Sequence, residues 1–130
     1  MTQSRRRISS GGPWEAAAGY SRAVAVGDSC WVAGTTDAGP DGASLHAGDP
    51  AGQARAALTT IERALAEAGF ALADIVRTRL FVTDIARATE VLAVHGEILG
   101  AIRPASTIVE VVALIHPSLM VEIEADARRA

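Results

Sequence analysis

Apolar and polar positions change period several times along the chain, and each period predicts an element. From Tyr20 to Val26 the run YSRAVAV reads as a strand. Gly27 and Asp28 give a turn signal, and SCWVAGT returns as the second arm of a hairpin. DAGPDGASLHAGDP (37–50) is a loop by composition, ending in Asp49 as an N-cap and Pro50 at the first helical position. Ala54, Ala57, Leu58, Ile61, Leu65 and Ala68 then follow helical spacing. Gly69 stops that helix, and Phe70 folds back on it. ADIVRTRLFVTD (73–84) is a long strand. Asp84 is expected to cap a second helix, with Ala88, Val91, Leu92, His95 and Leu99 inward and Gly100 at its end. Pro104 blocks any continuation. RPASTIVEVVALIHPSLMVEIEADA (103–127) reads as two strands joined by a short turn. In VEIEA, Val121 and Ile123 share one face while Glu122 and Glu124 share the other.

The order of elements predicts an α+β domain of two layers, a mixed six-stranded sheet with two helices on one face. Residues 1–12 read as a polar, flexible segment apart from a short strand near RRRISS, and 13–130 as a single domain. The second face of the sheet is also apolar-rich, and no element remains to cover it. That predicts association through the open face.

Composition narrows the function. A net charge of −3 argues against a nucleic-acid partner, and no apolar run approaches a membrane span. The N-terminal arginines precede no apolar stretch, so the segment is not a secretory signal and the expected location is cytoplasmic. The single cysteine, Cys30, excludes an internal disulfide and reads as a packed thiol. All 12 basic residues are arginine. The absence of lysine excludes Schiff-base chemistry on a lysine, and a P-loop.

Candidate chemistry is sparse. His46, His95 and His116 have no metal-ligand spacing, so no metal is expected. His95 reads as a core histidine or a site residue; His116, before Pro117, reads as a turn residue. No G-x-S-x-G marks a serine nucleophile, and GTTDAGPDG lacks the context of a nucleotide-binding loop. Arg77 and Arg79 share a strand face with Ile75 and Phe81, with Glu122 and Glu124 as their natural partners. Both a structural ion-pair network and a ligand-facing role stand.

Four stretches in order, GYSRAVAVGDSCWVAGTT, DPAGQARAALTTIERALAEAGFALADIVRTRLFVTD, HGEILGAIRPASTIVEV and VEIEADA, resemble the Rid (YjgF-like) family of reactive-intermediate deaminases along nearly the whole chain. The resemblance implies a chorismate-mutase-like fold and a homotrimer with small-molecule clefts between subunits. It also implies cofactor-free hydrolysis of imines and enamines derived from amino acids. An arginine would hold the substrate carboxylate while a glutamate and backbone groups position water.

Carried over by position, Tyr20 matches the family's cleft tyrosine and Glu122 its cleft glutamate, the expected catalytic residue. The substrate-binding arginine belongs directly after Pro104-Ala105, where this chain has Ser106 and Thr107. The chain therefore resembles a branch lacking that arginine. A neutral hydroxyl does not replace a bidentate guanidinium, and losing a desolvated clamp costs about 2–5 kcal/mol. Three readings stay open: Arg103 swings in, Arg22 supplies a cation from beside Tyr20, or the ligand needs no clamp. In the last, Ser106, Thr107, Glu122 and His95 provide the polar contacts. The function expected is acid–base chemistry on a reactive imine, enamine or related pathway intermediate, with a non-catalytic metabolite-binding or accessory role as the alternative. Ribonuclease activity, sometimes attached to this family, fits poorly with the negative charge and 4% aromatic content.

Overall fold

Alternation along the chain becomes a six-stranded mixed sheet in the computed structural model, which describes residues 4–130. The strands are β1 (Arg5–Ile8), β2 (Ala23–Val26), β3 (Ser29–Thr35), β4 (Ile75–Val82), β5 (Ala105–Glu110) and β6 (Val121–Arg128). The helices are α1 (Pro13–Ala18), α2 (Pro50–Glu67) and α3 (Ala88–Leu99). Sheet order is β1-β2-β3-β6-β4-β5, with β4 and β5 parallel and the other pairs antiparallel. α2 and α3 bury Leu58, Ile61, Leu65, Val91 and Leu99 in one core with Leu80, Val121 and Ile123 of the sheet.

Local chemistry sets the helix ends. The Asp49 side chain accepts from Gly52 N at 3.0 Å, and Pro50 opens α2. Gly69 takes φ 84, and Phe70 N reaches back to Leu65 O at 2.8 Å. Asp84 caps a single 3₁₀ turn, accepting from Ala86 N at 3.1 Å, and α3 begins after that turn.

The expected N-terminal strand forms, and three other features differ from expectation. The strand near RRRISS is β1, an edge strand hydrogen-bonded to β2, and Arg6 Nη2 donates to Ala68 O at 2.7 Å; residues 1–3 of the expected flexible segment lie outside the described residues. α1 was not expected, because six residues carry too little periodicity. Its signals are terminal: Pro13 at its start, Gly19 in the left-handed region at its end, and Glu15 reaching back to Ser10 N at 3.2 Å. Leu92 is not inward but 42% exposed; Val91, Val94 and Leu99 turn to the core, and Leu92 lies about 100° around the helix from Val91. The last two strands are not joined by a short turn. Residues 111–120 carry the chain across β4, and β6 inserts between β3 and β4.

Two bulges aim the side chains. Val32 and Thr35 of β3 oppose Ala125 and Ile123 of β6, so β3 carries one extra residue across Ala33 and Gly34. A second irregularity lies between Ile75 and Arg77. It turns Ile75 into the core, so Ile75 does not share the face of Arg77, Arg79 and Phe81 as alternation predicted.

Candidate functional site

On β6, Val121, Ile123, Ala125 and Ala127 are buried under the helices, so Glu122, Glu124 and Asp126 point to the open face. The bulge in β3 brings Gly34 beneath Glu122, so close that a Cβ at position 34 would overlap the carboxylate. Sequence reasoning passed over Gly34, although a glycine inside a strand pattern is a legible sign of a bulge or a close approach. Burial pushes the Glu122 carboxyl above its ordinary value; Arg22 opposes that shift and Glu124 adds to it.

Arg22 and Tyr20 complete this group. The Arg22 guanidinium lies 5.8 Å from the centre of the Tyr20 ring, and its Nη2 donates to Gly34 O. The Arg22 Nε is buried with no hydrogen-bond partner among the described residues. Tyr20 is 40% exposed, and its backbone N donates to Glu15 O at 2.9 Å, which ties its position to α1.

Ser106 belongs to a different group on the other side of the sheet. It stands opposite Thr78 in the parallel β4–β5 ladder, and Thr78 is fully buried toward α3. Thr78 Oγ1 donates to Ser106 Oγ at 2.8 Å and lies 2.8 Å from His95 Nε2. His95 is thus half-buried on the core side of α3 with a hydroxyl partner. Burial holds its imidazole pKa below the ordinary value. Thr107 is exposed and opposes Arg79, on the face of Glu122. Arg103 is exposed and takes φ 53, a left-handed conformation rare for a residue with a side chain. The hydrogen bonds and ion pairs described link it to neither group.

Strands in a sheet lie about 4.8 Å apart, so β5 and β6 are separated by about 10 Å through β4. Glu122 and Ser106 also face opposite sides. The sequence-predicted residues therefore fall in two separate groups within one chain, candidate half-sites: Tyr20, Arg22 and Glu122 in one, His95 and Ser106 in the other.

The remaining candidates make contacts of their own. Arg79 pairs with Asp126 at 3.2 Å and Glu124 at 3.5 Å, so its partners are Glu124 and Asp126, not Glu122. His46 Nδ1 lies 3.0 Å from Asp37, and His116 Nδ1 accepts from Ser118 N at 3.1 Å. Among the described residues no three His, Cys, Asp or Glu side chains converge as a metal site would require. A wide-open concavity of about 720 Å³ on the uncovered sheet face is lined by Arg5, Arg7, Tyr20, Trp31, Glu124 and Asp126, without Glu122. No described helix is long and apolar enough to cross a membrane.

Comparison with known proteins agrees with this architecture. The sequence profile described as endoribonuclease L-PSP matches residues 12–129. The crystal structure of a Mycobacterium tuberculosis member of the YjgF/YER057c/UK114 family is 53% identical, covers 97% of this chain and 100% of its own, and superposes with a TM-score of 0.88. A Yersinia pestis protein of the Rid family is 30% identical over 97% of this chain and 100% of its own, with a TM-score of 0.84. The 3-aminoacrylate deaminase of Acinetobacter baylyi is 31% identical over 104 residues, 80% of this chain and 82% of that protein.

Proposed function

The chain belongs to the endoribonuclease L-PSP family, the YjgF or Rid family, and from that premise we propose that it binds a small reactive imine, enamine or related intermediate in a cleft between two subunits of a homotrimer. Glu122 does the acid–base work there, without a cofactor. The observation that carries this reading is the setting of Glu122: half-buried, with a raised pKa, held over Gly34 beside Arg22. A carboxyl titrating closer to neutrality both gives and takes a proton. In imine hydrolysis it would protonate the nitrogen, accept a proton as water adds to the carbon, return it to the amine, and take up the hydroxyl proton as the C–N bond breaks and the carbonyl forms. The products are a carbonyl compound and ammonia. The deaminase relative from Acinetobacter supports this reaction class.

The two half-sites support the intersubunit cleft. A metabolite-sized ligand does not reach through a packed sheet, so Ser106 and Glu122 meet around one ligand only if they come from different copies. Two measurements test the reading. An amino-acid oxidase generates 2-imino acids while semicarbazide traps them; acceleration of hydrolysis that is lost in Glu122→Gln is the expected result. Trimers mixed from Glu122→Gln and Ser106→Trp chains should regain activity, since one interface then joins two intact half-sites. Failure of the mixture to recover activity excludes the shared cleft.

A second reading rests on Ser106 itself. By the family resemblance it stands where a carboxylate-binding arginine is expected, and that reading favours a non-catalytic metabolite-binding or accessory role. Ligand binding preserved in Glu122→Gln, with no turnover in the wild type, would establish that role.

A further inference from the structure

Ser106 sits on β5, the edge strand of the sheet, with its side chain exposed. Behind it stands Thr78, whose side chain is completely buried, and behind Thr78 stands His95. The two 2.8 Å contacts form one chain, and the His95 tautomer sets its polarity. With hydrogen on His95 Nε2, Thr78 accepts from the ring and spends its single proton on Ser106. The Ser106 hydroxyl, having accepted from Thr78, has its own proton left to donate outward.

No charged side chain belongs to this relay. Burial depresses the His95 pKa, and the partner of its Nε2 is a hydroxyl. Of the arginines near Ser106 in sequence, Arg103 is held outward in a left-handed turn.

Building on the intersubunit cleft, we propose that Ser106 is the donor of an uncharged subsite that takes the carbonyl oxygen of an amide, ester or ketone, with Thr78 and His95 as its positioning residues. One hydroxyl donor satisfies a neutral carbonyl oxygen. A carboxylate placed there would lose water and gain no counter-charge, and that loss is what the subsite discriminates against. The ligand class follows: an intermediate whose carboxyl end is amidated, esterified or replaced by a ketone.

The test uses the isotope-labelled full chain and two matched probes, pyruvamide and pyruvate, followed by NMR. Long-range proton–nitrogen spectra should show His95 with hydrogen on Nε2 at pH 7. Pyruvamide should move the resonances of Ser106, Thr78 and His95 at concentrations where pyruvate moves none of them. Thr78→Val should return His95 to the tautomer mixture of a free imidazole and weaken pyruvamide about 3- to 10-fold, the loss of one uncharged hydrogen bond. Thr78→Ser, which keeps the hydroxyl, should restore both. Equal response to the two probes, no response to either, or a Thr78→Val chain that binds pyruvamide unchanged overturns the proposal. Imine turnover with no preference at Ser106 would remove the subsite and leave Glu122 catalysis standing. Amide-selective binding without imine turnover would do the reverse.

Discussion

Glu122 owes its seat to one missing methyl group. Gly34 leaves the space that the carboxylate fills, and no side chain fits there without moving it. Gly34→Ala is expected to leave the chain folded, because the position lies at a bulge and makes no core contact through a side chain. It should displace Glu122 into solvent and abolish its raised titration, which carboxyl NMR titration reads directly. The same group shapes stability against pH. Its folded pKa lies above its unfolded one, so the folded state holds the proton more tightly. Its contribution is therefore most favourable below the unfolded pKa, and stability is lost as pH rises from there through the raised value. Urea melts at stepped pH should show that decline in the wild type. Glu122→Gln should remove this part of the slope.

Elements are held by a few buried polar contacts, and one side chain joins three of them. Gln53 of α2 is fully buried; its Nε2 donates to His46 O at 3.2 Å and Ser118 O at 3.0 Å, and its Oε1 accepts from Met120 N at 2.7 Å. It thereby ties the loop of residues 37–50 to the crossing of residues 111–120 that carries the chain into β6. Gln53→Leu keeps the volume roughly but strands buried backbone groups, and should cost at least about 2 kcal/mol in denaturant unfolding. Asp49→Ala removes only the exposed cap of the same helix and should cost about 1 kcal/mol. A reversed ranking would mean that the loops find other partners when Gln53 is lost.

At the scale of the molecule, one sheet face is packed and the other is bare. Trp31 is 48% exposed there, among the arginines and carboxylates that line the open concavity. Under the proposed intersubunit cleft, further copies would cover this face. Light scattering on the purified chain should give the mass of three. Trp31→Glu, which places a charge on that face, should shift the mass toward one chain and suppress ligand binding with it. A trimer unaffected by Trp31→Glu would locate the interface elsewhere.

Much of this was legible in the sequence. Residues 50–68 announced α2 through cap, period and terminal glycine, because these are local requirements that a few neighbouring residues meet among themselves. Alternation in VEIEA set Glu122 and Ile123 on opposite faces for the same reason, and the order of motifs identified the family and its mixed sheet. Other features were decided only by tertiary contacts. A bulge depends on what the neighbouring strand supplies, so neither the turning of Ile75 into the core nor the seat of Glu122 over Gly34 could be read from one strand. The partner of Arg79 was settled by register, which put Glu124 opposite it and left Glu122 opposite Phe81. The separation of Ser106 from Glu122 arose because β6 inserts between β3 and β4, a choice of topology made by packing between segments far apart in the chain. Local pattern fixed which residues are polar and which face each strand gives them; packing at long range fixed which of them meet.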